Sequence, residues 1–272
     1  MGAINRAVRP FFGVSKGPGC AFVEESIGFD WHSGLNWRVR QRSSKCLAEA
    51  ILGKYGSSGL SADEILEVST ASEDYETGKA LSALNLMYED PASGRIHSVE
   101  NWFQSAKVFG RCGREFGPYE QLLMVRNPKR YLNTSLDRKT VARNDGDLLF
   151  QRTQSEVAGT SLVRFELGGK SFPLVPRSGF YDYLYAQALH QDRNSDLAER
   201  ICGYRVFTDI MFNPGTGKKR KYNTQARSCA IFVSLTERGL LDEALSGFER
   251  FVDLVAYDRP ASPDAFLGGT NV

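Results

Sequence analysis

The chain of 272 residues is 42% hydrophobic and 24% charged, the balance of an ordinary soluble globular protein with length to spare for a buried core. Its net charge of +2 gives composition no claim on nucleic acid, so such a contact must rest on where the cations sit. Five scattered cysteines with no C-x-x-C pair, and three histidines far apart, exclude a zinc ribbon and a disulfide framework; reduced thiols point to the cytoplasm.

The start, MGAINRAVRP, lacks the apolar core of a signal peptide, and position 6 is not the Ser or Thr that myristoylation of Gly2 needs. No apolar run reaches the about 18 residues of a membrane span. Residues 1–20 read as an N-terminal segment. Ala21–Trp31 reads as strand, turn and strand around Gly28, and Arg38–Tyr55 as a helix with a basic start, RVRQRSSK, and an apolar stripe at Leu47, Ile51 and Tyr55. Ser61 and Glu64 form a capping box that runs into the strand-like EVSTAS. After KALSALNL and a loop at Glu89–Arg95, Ser98–Phe109, SVENWFQSAKVF, reads as one short helix. Gly117 and Pro118 end the segment after it, and YEQLLMVRNPKRYL is a helical pattern stopped at Pro128.

Ser161–Val175 holds two alternating runs about Gly168-Gly169, a hairpin signal. GFYDYLYAQALH reads as a helix, and another segment spans Leu197–Phe207. Gly215–Lys221 is a loop, Thr224–Leu235 and Leu240–Val255 are the last two helices, and the tail from Tyr257 reads as loose. No repeat or low-complexity linker divides the chain. The pattern is that of one α+β domain over residues 21–256, with a flexible tail over 257–272.

Several chemistries drop out. There is no G-x-x-x-x-G-K-[ST], no G-x-G-x-x-G and no zinc-deaminase signature. Three constellations remain. In SVENWFQSAKVF, Val99, Trp102, Phe103, Ala106 and Phe109 share an apolar arc, and Glu100, Gln104 and Lys107 align beside it within about 60°. The stripe admits two readings: a solvated face with a weak Glu–Lys attraction, or a cleft wall on which a desolvated Lys becomes a nucleophile and a Glu shuttles protons. In TDIMFNPGTGKKRKYNTQAR, Asn223, Gln225 and Arg227 stand at a helix start, where a phosphate can be held or a loop merely capped. KKRK at 218–221 is a solvated loop tip or a grip on a nucleic-acid backbone. In FDWHSGLNW, Phe29, Trp31 and Trp37 can stack a base or fill a core.

Together these stretches resemble one family. SVENWFQSAKVF resembles the S-x-E-x-x-x-Q-x-x-K helix of NADAR proteins, the YbiA-like group that handles ADP-ribose-like substrates. LSALNL is similar to the short element upstream of it, with Asn85 as the matching Asn; TDIMFN holds the Asp that precedes an aromatic turn; NTQAR resembles the start of the closing helix. FDWHSGLNW, SAKVF, FPLVPRSGFYDYLYAQAL and FTDIMFNP with NTQARSCAIFVSL resemble the branch of NADAR antitoxins paired with DarT-type toxins, across most of residues 20–255. The run WRVRQRSSK and the tail depart from that branch.

The resemblance implies a cytoplasmic hydrolase that needs no cofactor and no metal. Its substrate would be DNA carrying ADP-ribose on the guanine amino group, its product ADP-ribose, and its functional partner a DarT-type toxin. Lys107 would attack the anomeric carbon and form a Schiff base, with Glu100 as proton shuttle and Asp209 stabilising charge or orienting the ribose. A second route has Glu100 or Asp209 activate water directly. Asn85, Gln104, Asn213, Asn223, Gln225 and Arg227 would hold the ADP-ribose, Trp31 and Trp102 would stack a base, and Lys218, Lys219, Arg220 and Lys221 would meet DNA. Two alternatives stand beside this: a non-catalytic antitoxin that binds the toxin or the modified DNA, and an N-glycosidase acting on a free nucleotide metabolite.

Overall fold

The computed structural model describes residues 4–34, 36–132, 146–215, 221–259, 261–262 and 265–267. The fold is α+β, as the sequence pattern predicts, in two compact units: Met1–Leu86 with Tyr181–Val272, and Met87–Phe180. None of the helices among the described residues is long and apolar enough to cross a membrane.

The first unit is built on a four-stranded sheet in the order β2-β1-β10-β3. Strands β1 (Ile4–Val14) and β2 (Phe22–His32) pair antiparallel over eleven residues, from Ile4 opposite His32 to Val14 opposite Phe22. Where strand, turn and strand were expected over Ala21–Trp31 there is one strand, with Gly28 opposite Val8. β10 (Val206–Thr208) joins β1 antiparallel and β3 (Ile65–Glu67) parallel. Helix α1 (Trp37–Tyr55) packs on β2 through Leu47, Ile51 and Tyr55, spaced four residues apart and so on one face. Helix α2 (Tyr75–Ala80) is short.

Phe11, Leu47, Ile51, Tyr55 and Phe266 share the core. The Tyr55 and Phe266 rings meet edge to face at 5.0 Å. The tail expected to be loose thus supplies a core residue: Phe266 is fully buried, and a Cβ on Gly13 would lie 2.6 Å from its ring. Burial of an aromatic side chain outweighs the entropy of ordering a short segment. The N-terminal segment, likewise, contains β1.

The second unit holds the hairpin β4 (Met87–Glu89) and β5 (Ile96–Ser98), helix α3 (Val99–Ser105), and a sheet in the order β7-β6-β8-β9. Its strands are β6 (Lys107–Arg111), β7 (Arg114–Phe116), β8 (Ser161–Leu167) and β9 (Lys170–Phe172). Gly168 and Gly169 turn β8 into β9 with φ of 57° and 72°, the left-handed pair of a tight hairpin. The YEQLLMVRNPKRYL segment forms two 3₁₀ turns, Glu120–Met124 and Pro128–Leu132, rather than one helix. Helix α4 (Leu148–Val157) closes this core on Tyr131 and Phe150.

The remaining α-helices among the described residues are α5 (Gly179–His190), α6 (Ser195–Ile201), α7 (Gln225–Glu237), α8 (Leu241–Leu245) and α9 (Phe248–Val255). Every residue of α7 from Ala226 to Leu235 is buried. The single helix expected over Leu240–Val255 is two, parted at Gly247, whose extended backbone interrupts the helical run.

Candidate active site

In the second unit, Ser98 caps α3 by accepting from the Asn101 N–H at 3.2 Å, and the apolar arc of the helix is buried as predicted. The helix stops at Ser105, however, and Lys107 opens β6 opposite Phe165. The three polar residues meet all the same. The Lys107 amine donates to Gln104 Oε1 at 2.6 Å, and Gln104 Nε2 donates to Glu100 Oε1 at 3.0 Å. Gln104 is 3% exposed, so its amide is a fixed link between base and acid rather than a solvated side chain.

Lys107 lies against aromatic surface. Its Nζ is 4.8 Å from the centroid of Phe103, whose ring packs on Phe165 at 5.3 Å. Burial pushes the Lys107 amine down to about 8, against the pull of Glu100 and with the help of Lys129. Burial likewise raises the Glu100 carboxyl, opposed by the Gln104 hydrogen bond and by the charges of Lys107 and Lys129. The backbone of Lys107 is held from several sides. Glu166 N–H donates to the Ala106 carbonyl at 2.7 Å, Tyr119 N–H donates to the Ser105 carbonyl at 2.6 Å, and a Cβ on Gly117 would lie 2.4 Å from the Lys107 carbonyl. Asn101 Nδ2 ties the neighbouring turn to α3 by donating to the carbonyls of Leu122, Leu123 and Val125 at 3.1, 2.8 and 2.9 Å.

Lys129, on the turn Pro128–Leu132, escaped the sequence reading although its charge acts on both Glu100 and Lys107. Nothing in NPKRYL marks it, because its effect comes from folding the turn onto α3. Trp102 has a structural place: it is 3% exposed, donates Nε1–H to the Tyr88 carbonyl at 3.0 Å and meets the Tyr88 and His97 rings edge on. That leaves it no face for a base.

In the first unit Thr224, between Asn223 and Gln225, bonds to Asp209, whereas Arg227 and Asn85 are taken up by other partners. Asp209 accepts from the Met211 and Phe212 N–H groups and from the Thr224 hydroxyl at 3.2, 3.1 and 3.0 Å, which fixes the turn after β10. Beside it lies Glu67, unmarked by the sequence reading, which accepts from Ser69, Thr208 and the Ile210 N–H. Burial and the charge of Asp209 push the Glu67 carboxyl up to about 8, and burial raises Asp209 too. The signal was present: an acid inside the short apolar run ILEV has to be buried or bonded.

Arg227 is not free for a pyrophosphate. Its Nε and Nη2 donate to Asp182 at 3.0 and 3.3 Å, and that fully buried carboxylate also accepts from Ser228 at 2.7 Å and Tyr257 at 2.9 Å. A lone Asp in the apolar helix GFYDYLYAQALH announces such a partner. Asn223, by contrast, carries a buried Oδ1 with no hydrogen-bond partner among the described residues. Gln225 Nε2 donates to the Val68 carbonyl at 3.0 Å, and exposed Asn85 donates to the Lys79 carbonyl at 2.8 Å. Asn213 is exposed and accepts from the Gly215 N–H at 3.2 Å. Trp31 is half-buried, with the Arg9 guanidinium 5.1 Å above its ring. Lys221 is exposed, whereas Lys218, Lys219 and Arg220 lie outside the described residues.

A cavity of about 290 Å³ beside Glu67 is bordered by Glu49, Asp63, Glu73 and Asp74, with Lys45 as its one cation, a lining that repels a pyrophosphate. Among the described residues no three His, Cys, Asp or Glu side chains gather so as to hold a metal ion. Against known proteins, the family model described as the DarT1-associated NADAR antitoxin matches residues 7–264. No curated protein matches the chain.

Proposed function

Because the chain belongs to the DarT1-associated NADAR antitoxin family, which makes it an antitoxin with a DarT toxin as functional partner, we propose that it is a hydrolase that removes ADP-ribose from guanine in DNA. The observation that carries this reading is the Glu100–Gln104–Lys107 relay. An amine at about 8 is neutral in about a tenth of molecules at pH 7, against about one in three thousand for an ordinary lysine. Burial that makes a lysine nucleophilic serves a covalent step and does nothing for mere anion binding, which a charged, solvated amine does better.

In the proposed reaction the ADP-ribosylated guanine amine opens to an imine, and the Lys107 Nζ lone pair forms a bond to the anomeric carbon. Lys107 passes one proton to the guanine nitrogen on attack, and the bond from that carbon to the nitrogen breaks as Glu100, whose hold on its proton burial strengthens, donates a second. Glu100 then takes a proton from water, which adds to the Lys107 Schiff base and releases ADP-ribose. In the first unit Asp209 holds its own turn, and Asn223 carries a buried oxygen with no hydrogen-bond partner among the described residues. Gln225 braces the Val68 carbonyl and Asn213 accepts from the Gly215 N–H, and Lys218, Lys219, Arg220 and Lys221 are the proposed contacts to the DNA backbone.

Incubation with guanine-ADP-ribosylated DNA tests the reading: ADP-ribose is released, borohydride traps a protein–sugar adduct, and Lys107→Ala abolishes both. Release by Lys107→Ala at the wild-type rate overturns the covalent role. No release by the wild-type protein leaves a binding antitoxin as the better account.

A further inference from the structure

The segment Trp37–Lys45, WRVRQRSSK, carries Arg38, Arg40, Arg42 and Lys45 and no acid, so its +4 exceeds the +2 of the whole chain. It forms the first half of α1, whose buried face is Ser43, Ser44, Leu47, Ile51 and Tyr55. Arg38, Arg42 and Lys45 stand at i, i+4 and i+7 on the opposite, exposed side. Trp37 opens the helix 49% exposed, with the Arg38 guanidinium 5.4 Å from its ring centroid.

None of this serves folding. The start of a helix carries positive partial charge and favours acids, yet the first turn of α1 has none. Among the described residues Arg38, Arg40 and Arg42 form no ion pair that would relieve the repulsion, and Lys45 has only an open contact with Glu73 at 3.9 Å between two exposed side chains. A large exposed indole flanked by cations that oppose their own helix is what a stacking platform on a polyanion requires.

We propose that this face of α1 is a contact surface for single-stranded DNA, with Trp37 stacking on an unpaired base and Arg38 and Arg42 meeting phosphates. Single-stranded DNA is favoured over duplex because a protruding indole needs a base whose face is open. The proposal rests on DNA being the substrate, but its test reads binding without turnover, so the two fail separately.

Fluorescence anisotropy with an unmodified single-stranded oligonucleotide, over a salt series, is the test. The double variant Arg38→Glu/Arg42→Glu is expected to bind at least about tenfold more weakly and to flatten the slope of log K against log salt by about 1.4. Trp37→Ala loses about fivefold or more with little change in slope. Circular dichroism verifies that both variants fold; replacing a cation by an acid at a helix start leaves Tm equal or higher. Wild-type affinity and slope in both variants overturn the proposal. So does loss of binding to the DarT toxin with DNA binding intact, which would assign the face to protein. If no ADP-ribose is ever released but the variants lose DNA as expected, the surface stands and the hydrolase reading falls.

Discussion

Lys107 combines a proposed function with a stability cost, and the two can be separated. Burial beside Phe103 disfavours its charged form, so the folded state holds the proton less tightly than the unfolded chain does. Lys107→Met keeps the aliphatic contact with Phe103 and removes the charge. It is expected to abolish ADP-ribose release while raising Tm by a few degrees at pH 7; a lower Tm would mean that the amine holds the fold together. The pH profile follows from the same group. Below about 8 the reactive neutral amine falls tenfold per pH unit, so the rate at which an amine-selective reagent modifies Lys107 should rise with unit slope from pH 6 and level off near 8. Lys129 adds a cation that opposes protonation of Lys107. Its removal in Lys129→Ala should move that limb toward higher pH by about half a unit. An unmoved limb with altered KM would make Lys129 a substrate contact instead.

At the scale of elements, the site is a helix-to-strand junction, and the residue that permits it is Gly117. Its φ of 101° is left-handed territory, and a side chain there would strike the Lys107 carbonyl at 2.4 Å. Gly117→Ala is expected to cost about 2 kcal/mol or more in chemical unfolding and to lower kcat more than Lys129→Ala does. Wild-type stability and rate would show that the junction yields. Elements whose signals are local were readable in sequence: the β8–β9 hairpin from Gly168-Gly169, α5 from the segment GFYDYLYAQALH, and the buried arc of α3 from its spacing. Elements decided by distant partners were not. Gly28 resembled a turn but sits in a strand paired along its whole length, and KVFGR resembled the end of a helix until β8 paired with it. The site divides the same way. Glu100, Gln104 and Lys107 were legible as a line of polar groups beside apolar ones, although Lys107 reaches that line from a strand. Arg227 looked available because Asp182, its partner, is 45 residues away in sequence.

For the molecule as a whole, the buried carboxyls set how stability changes with pH. Glu67 titrates near 8 in the folded chain and at an ordinary carboxylate value when unfolded, and Asp209 and Glu100 are raised in the same sense. Between about pH 5 and 8 the folded state therefore binds more protons than the unfolded state, and stability must fall as pH rises through that window. His97, lowered by burial and by Arg95, works in the opposite direction below the ordinary histidine range, and Lys107, lowered to about 8, does so from about pH 7 upward, so the fall is steepest between about pH 6 and 7. One carboxyl fully protonated in the folded state alone gives a slope of about −1.4 kcal/mol per pH unit, so a net fall of about 1 kcal/mol per unit is expected. Glu67→Gln keeps the shape and removes the titration, and should flatten most of the fall. The measurement is urea unfolding at half-unit steps from pH 5 to 8 for both proteins. A wild-type stability that is flat or rises with pH, or a Glu67→Gln variant with the wild-type slope, would mean that Glu67 is ionised in place, stabilised by its hydroxyl and N–H donors in spite of Asp209. A falling wild-type slope would also place the protein in a compromise. The acid side of the window favours the fold, whereas the basic side frees Lys107 to react, so the reactivity of Lys107 and stability should trade against each other between pH 6 and 8.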